Sequence, residues 1–195
     1  MKVNNIFESI QGEGRYAGEP VIFVRLAGCN LDCDWCDTDF SNEIEMSSEE
    51  LAEEIQSHDI DTVVWTGGEP MLQFEEIKKT INLTQNKHHL ETNGTKELLE
   101  AGRHLDYIAI SPKDKEDIER LNLDILHCEY DVKVVTDGEM NKDMFEDATM
   151  LMPLTTFNKD EDKVIKQKVW KICQEKNLKY SPRLQIDLFG EERGV

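Results

Sequence analysis

The run Val21-Ile22-Phe23-Val24-Arg25-Leu26-Ala27-Gly28-Cys29-Asn30-Leu31-Asp32-Cys33-Asp34-Trp35-Cys36 joins an apolar, β-branched stretch to a loop with three thiols in eight residues. Val21–Leu26 reads as a strand, and the glycine and polar residues after it mark where the chain leaves a sheet. The pattern recurs: Thr62–Thr66 runs into Gly67-Gly68-Glu69-Pro70, His89–Thr92 into Asn93-Gly94, and Tyr107–Ser111 into Pro112-Lys113. Asp131–Thr136 and Met150–Pro153 are further strand candidates, and Leu184–Leu188 alternates apolar and polar residues as a last extended segment. Between them, Ser47 with Glu50 forms a capping box opening a helix whose Leu51 and Ile55 share a face. Phe74, Ile77 and Ile81 give a second apolar stripe, and Leu98 and Leu99 a short helix that Gly102 ends. Val164, Ile165, Val169, Ile172 and Cys173 form a long amphipathic stripe. Strands alternating with helices predict an α/β domain with a mainly parallel sheet. Sites in such folds form at the carboxyl ends of the strands, so one mouth should collect these motifs.

A chain of 195 residues fits one domain, residues 1–195, around one sizeable core. Neither a repeat nor a Pro/Gly/Ser-rich linker divides it. Met1-Lys2-Val3-Asn4-Asn5 lacks the apolar region of a signal peptide, and no apolar run approaches the roughly 20 residues that span a bilayer. The expectation is a cytoplasmic protein whose thiols stay free. With 22 Lys and Arg against 41 Asp and Glu, the net charge of −19 repels polyphosphate backbones and anionic membranes. Partners of those two kinds are therefore not expected.

Thiolates spaced as Cys29, Cys33 and Cys36 can converge on one soft metal centre from a single loop. Three ligands on a [4Fe–4S] cube leave one iron open to an exogenous ligand. A structural zinc ion would need a fourth ligand, such as Cys128, Cys173 or a histidine, from a distant segment. Cys128 and Cys173 otherwise read as ordinary buried thiols.

The C-x3-C-x2-C spacing is the signature of the radical S-adenosylmethionine (SAM) superfamily, and other motifs narrow the match. They are Glu8-Ser9-Ile10-Gln11-Gly12-Glu13-Gly14, Gly18, Pro20, Phe23-Val24-Arg25, Asp37-Thr38, Thr66-Gly67-Gly68-Glu69-Pro70, Glu91-Thr92-Asn93-Gly94 and Ser111-Pro112-Lys113. Met152-Pro153, Ser181-Pro182-Arg183-Leu184 and Arg193-Gly194-Val195 follow. In this order, from residue 6 onward, the chain resembles the 7-carboxy-7-deazaguanine synthase family of queuosine or archaeosine biosynthesis. The resemblance implies a reduced, incomplete (β/α) barrel, a homodimer, and an external flavodoxin- or ferredoxin-like electron donor. It also implies a reaction: SAM is cleaved to methionine and a 5′-deoxyadenosyl radical, which takes hydrogen from C6 of 6-carboxy-5,6,7,8-tetrahydropterin. The ring then contracts, ammonia leaves and 7-carboxy-7-deazaguanine forms. The cofactor carries the radical chemistry, while the protein positions, shields and polarises.

Site roles follow from that resemblance, each beside a plainer alternative. Gly68 and Glu69 match the segment that binds the SAM amino group, although Gly-Gly-Glu-Pro could be a simple strand-to-helix turn. Its glycines let backbone approach a ligand, and Glu69 could accept from an ammonium. Ile10, Gln11 and Gly12 match the pterin pocket rather than a surface turn, and Gln11 can both donate and accept at a pterin edge. Arg25 lies in an apolar strand, where a charge needs a partner. That partner is either an acidic side chain of the chain itself or, as the resemblance implies, the substrate carboxylate gripped in bidentate fashion. Thr38 either caps a turn or offers its hydroxyl to a Mg²⁺ ion. Trp35, Asp37, Ser111, Pro112 and Lys113 match SAM contacts, and Thr66 and Val195 match substrate contacts. Glu91 is expected to point into the same mouth. Gln185 stands where the family commonly has His, and it can replace that residue's hydrogen bonds but not its titration. The rival readings are a glycyl-radical-enzyme activase, which needs neither pterin segment nor metal-bound Thr38, and a noncatalytic zinc module.

Overall fold

The computed structural model describes residues 1–33, 43–192 and 194. Its strands are β1 (Lys2–Ile10), β2 (Pro20–Leu26), β3 (Ile44–Glu45), β4 (Thr62–Gly67), β5 (Lys87–Thr92), β6 (Tyr107–Ile110), β7 (Glu129–Thr136), β8 (Met150–Pro153) and β9 (Lys179–Tyr180). They form one sheet in the order β3-β1-β2-β4-β5-β6-β7-β8-β9. β1 runs antiparallel to β2 and β3, and every pairing from β2 onward is parallel. The helices are α1 (Ser48–Gln56), α2 (Phe74–Ile81), α3 (Lys115–Glu119), α4 (Lys159–Lys176) and α5 (Leu184–Phe189).

Side chains alternate across a strand, so each strand has two loyalties. One face carries Ile22, Val24, Leu26, Val63, Trp65, Leu90, Ile108 and Ile110, which pack with Leu51 and Ile55 of α1 and Phe74 and Ile77 of α2. Val132, Val134 and Leu151 continue that face against Ile165, Val169 and Cys173 of α4. The opposite face carries Phe23, Arg25, Thr66, His89, Glu91, Tyr107, Asp131 and Lys133, and it is this polar face that the motifs surround.

The sheet cannot be flat. Glu13, three residues past β1, pairs with Lys133 of β7 at 2.5 Å. Five inter-strand steps of about 4.8 Å separate β1 from β7, or roughly 24 Å in a flat sheet. Curling brings the inner face of β7 to the end of β1, giving the open, incomplete (β/α) barrel. β9 and β3 are its two unpaired edges. The C-terminal segment bridges towards β1: Leu184 N donates to Gly12 O at 2.9 Å, Gly14 N donates to Ser181 Oγ at 2.8 Å, and Gly194 lies against the Asn5 side chain.

The capping box stands: Ser47 Oγ accepts from Glu50 N, and the Glu50 carboxylate accepts from Ser47 N. Three sequence expectations change. Leu184–Leu188 is the helix α5, with Ile186 N and Asp187 N donating to Arg183 O and Gly190 N to Ile186 O. Its alternation does not come from a strand: Gln185 turns inward to Glu13, while Leu188 stays 62% exposed. Leu98 and Leu99 form no α-helix; a 3-10 turn over Ala101–Arg103 suffices to bury Leu98, with Gly102 N donating to Leu98 O. The α4 stripe is also narrower than expected, since Val164 is exposed and the buried line is Ile165, Val169 and Cys173.

Candidate active site

The cysteine loop leaves β2 against the end of β4, and this contact explains the paired glycines. A Cβ on Gly68 would fall 1.8 Å from Gly28 O, and one on Gly67, at φ 107°, would fall 2.3 Å from Leu26 O. Only glycine permits this approach. The parallel ladder then continues past the strands, with Gly68 N donating to Leu26 O at 3.0 Å and Glu69 N to Gly28 O at 2.9 Å. The smallness of Gly67 and Gly68 is thus used to seat the stem of the loop that presents Cys29.

The Glu69 carboxylate differs from its expected role as an open acceptor. It is 0% exposed. Its Oε1 accepts from Thr92 Oγ1 at 2.8 Å and Met71 N at 2.9 Å, and its Oε2 accepts from Asn93 N at 2.7 Å. Burial pushes its pKa up, against these donors and the charge of Lys113. The side chain thereby ties β4 to β5, and Gly67 and Gly68 are the part of this segment that stays partly exposed.

Cys29 is exposed, and Cys33 is half-buried on the same loop. Among the described residues, no three His, Cys, Asp or Glu side chains converge as a metal site. Cys173 is buried under β8 and α4, and Cys128 packs beside Gly102, so neither serves as a fourth ligand for this loop. Two described thiols on one exposed loop, with a third position at Cys36, fit a soft-metal cluster better than a closed zinc site. Trp35, Cys36, Asp37, Thr38 and Val195 lie outside the described residues, as does Arg193.

One register step before Gly67, Arg25 pairs with Thr66 across the β2–β4 ladder. Arg25 is half-buried, with its guanidinium 5.8 Å from the centre of the Phe7 ring. Among the described residues it makes no ion pair, so the acidic partner allowed by the sequence is not found there. Thr66 Oγ1 donates to Glu91 Oε2 at 2.8 Å, and Gln11 Nε2 donates to Glu91 Oε1 at 3.2 Å. Glu91 therefore does enter the mouth, bridging the β1 loop to β4. Gln11 is buried; its Oε1 accepts from Glu13 N at 3.0 Å, and Ile10 ends β1 opposite Pro20. Gly12 is small for a specific reason: a Cβ there would fall 1.6 Å from Gln185 Oε1. Ser111 N donates to Thr92 O at 2.7 Å, Pro112 is buried, and Lys113 N donates to Asp117 Oδ2 at 3.3 Å.

The sequence did not single out Glu13 or Lys133. Glu13 accepts from Lys133, from Arg183 Nε at 3.1 Å and from Gln185 Nε2 at 2.9 Å. Burial alone would raise the Glu13 pKa, but the Lys133 and Arg183 charges hold it at about 2. Burial works against the Lys133 ammonium in turn, yet the Glu13 and Glu91 charges raise its pKa. Both groups are therefore charged at neutral pH. Gln185 Oε1 is buried with no hydrogen-bond partner among the described residues. A lone lysine in the apolar run of β7 is the same signal that marked Arg25 in β2. On the same face, Arg15 Nε donates to Asp131 Oδ2 at 2.7 Å, and the Tyr16 ring lies tilted against His89, fastening the loop after β1 to β5 and β7.

The described mouth thus holds an exposed thiol loop, an arginine without a carboxylate partner, and a hydrogen-bonded wall from Gln11 to Glu91. The Radical SAM superfamily profile matches residues 23–122. A 7-carboxy-7-deazaguanine synthase of Bacteroides thetaiotaomicron is 35% identical, the match covering 71% of this chain and 71% of that one. The enzyme of the same name from Halobacterium salinarum is 30% identical over 98% of this chain and 91% of its own length. The crystal structure of QueE from Escherichia coli superposes with a TM-score of 0.66, covering 92% of each chain at 24% identity, a likeness of fold.

Proposed function

Because the chain belongs to the radical SAM superfamily, and within it to the 7-carboxy-7-deazaguanine synthases, we propose that it makes 7-carboxy-7-deazaguanine from 6-carboxy-5,6,7,8-tetrahydropterin, releasing ammonia. The observation that carries this reading to the residues is Arg25. A cation held on Phe7 and facing no described carboxylate, in a chain of net charge −19, suits a small anionic substrate. Its guanidinium can grip the pterin carboxylate with two parallel hydrogen bonds.

A [4Fe–4S] cluster with bound SAM, when present, supplies the hydrogen-abstracting chemistry. Cys29, Cys33 and Cys36 would hold the cluster. Gly68 and Glu69, with Trp35, Asp37, Ser111, Pro112 and Lys113, would line the SAM side. The Glu69 carboxylate keeps that segment in place from within. On the pterin side, Ile10, Gln11, Gly12 and Thr66 orient the bicyclic ring, the Gln11 amide serving donor and acceptor atoms. Val195, as the resemblance implies, would be a further substrate contact. Thr38 would offer its hydroxyl as the one protein ligand to a Mg²⁺ ion, a hard cation suited to oxygen donors. Residues 1–195 act as one radical SAM domain, as a cytoplasmic homodimer fed by a flavodoxin- or ferredoxin-like donor. Among the described residues no helix is long and apolar enough to cross a membrane.

Anaerobic reconstitution followed by assay with the pterin, SAM and a reductant tests the reading. Bound iron with sulfide, SAM-dependent product and released ammonia are expected. Stoichiometric zinc without iron, or cleavage of SAM that never yields product, would refute it.

A further inference from the structure

Three side chains around Cys29 close a hydrogen-bonded ring that the reaction as proposed leaves unused. Asn30 Nδ2 donates to Thr95 Oγ1 at 2.9 Å, Thr95 Oγ1 donates to Asn93 Oδ1 at 2.7 Å, and Asn93 Nδ2 donates to Asn30 Oδ1 at 3.2 Å. Each amide uses both ends and the hydroxyl both gives and receives, so donation runs one way round. Hydrogen bonds arranged in this sense polarise one another.

The ring is anchored rather than afloat on a loop. Thr95 N donates to Asn93 Oδ1 at 3.0 Å, and Asn93 N donates to the enclosed Glu69 carboxylate. Glu69 N in turn holds Gly28 O, the residue before Cys29. Asn93 is only 7% exposed. Its amide has two hydrogens, and Cys29 Sγ lies within the reach of Nδ2 at 4.0 Å. Asn–Thr contacts at a surface loop are ordinarily local tethering. This one joins the ends of β4 and β5 to the residue beside a thiol, with a buried donor at its sulfur.

We propose that Asn30, Asn93 and Thr95 form a positioning ring for the cluster ligand Cys29, with the Asn93 amide as hydrogen-bond donor to its sulfur. Partners behind a ligand fix its orientation, and hydrogen bonds to the sulfurs of an iron–sulfur centre help set its reduction potential. An N–H stabilises the more negative, reduced state, so the ring makes the cluster easier to reduce. This inference rests on the proposed cluster at Cys29.

The test is a redox titration, followed by electron paramagnetic resonance, of the reconstituted full chain and of two uncharged variants, Asn93→Ala and Thr95→Val. Val matches Thr in shape and removes only the ring's hydroxyl. Asn93→Ala should titrate at a more negative potential than the unaltered chain, Thr95→Val between them, with SAM binding unchanged. A variant that loses iron while its cluster-free form melts at the unaltered temperature would also support positioning. Unchanged potentials in both variants, or iron loss that tracks a lower melting temperature of the cluster-free chain, would overturn the ring's role. Failure of the unaltered chain to hold iron and sulfide would instead overturn the cluster reading itself.

Discussion

The two faces of this sheet obey different rules although they are built from alternate residues of the same strands. His88 and His89 show the contrast at one step along β5. His88 turns to the helices, where Trp65 Nε1 donates to its Nδ1 at 3.2 Å and Thr84 Oγ1 meets its Nε2 at 2.8 Å. His89 turns to the mouth and packs with the rings of Tyr16 and Tyr107, which also touch each other. On the helix face polar groups are few and locally satisfied, and stability comes from apolar area removed from water. On the mouth face charges are numerous, and most are answered by a residue distant in sequence, as Glu13 answers Lys133. Among the described residues Arg25 is the exception to that second rule, which is why the proposed function gives it the substrate carboxylate. The helix face therefore carries the apolar core, and the mouth face the long-range charge pairs and, as proposed, the substrate contacts.

The largest effects should test this division. Trp65→Ala, on the helix face and fully buried, should lower unfolding free energy by about 3–5 kcal/mol in urea titrations. Glu13→Ala should be comparably costly, about 3–5 kcal/mol, because it leaves Lys133 buried without its carboxylate. The double change Glu13→Leu with Lys133→Met should recover much of that stability yet not pterin turnover. Recovery of both would place the pair on the structural side of the comparison.

Arg25→Ala should do the reverse of Trp65→Ala. Pterin binding should weaken by roughly 1.5–3 kcal/mol, the scale of a hydrogen bond to a charged group. Iron content and melting temperature should hold. A variant that binds pterin normally but melts early would show that Arg25 belongs with the structural charges.

Acid should weaken both faces in sequence. Burial depresses both histidines to about 4 from an ordinary 6.5. The unfolded chain thus takes up protons first, and stability should fall as pH drops from about 6.5 to about 4. Glu13, held at about 2, contributes stability that is present above about 4.5 and lost as pH falls towards 2. Replacing His88 and His89 with Gln should flatten only the upper limb. The smallest effect belongs to the rim: Ser47→Ala removes one half of the α1 capping box and should cost about 1 kcal/mol without changing pterin affinity.

Much of the helix face was legible because continuous apolar runs such as Val21–Leu26 and Thr62–Thr66 announce buried parallel strands. β1 was not, since Asn4-Asn5 and Glu8-Ser9 interrupt its pattern and a register shift falls between Val3 and Asn5. Leu184–Leu188 misled for a related reason: its inward Gln185 answers a charge rather than a core. Motifs drew attention to residues 10–12, 25, 66 and 91, which the structure brings to one mouth, but not to the hydrogen bonds that connect them. The Glu13–Lys133 pair spans 120 residues, and only the curl of the sheet brings its members together. Glu69 shows the converse, a motif residue whose type was plain while the direction of its carboxylate depended on Thr92 and Asn93.

The most direct test of the whole account is turnover of 6-carboxytetrahydropterin deuterated at C6 by the anaerobically reconstituted chain, with mass analysis of the 5′-deoxyadenosine formed. Deuterium should appear in the 5′-deoxyadenosine while 7-carboxy-7-deazaguanine accumulates. Product formed alongside deuterium-free 5′-deoxyadenosine would contradict the account.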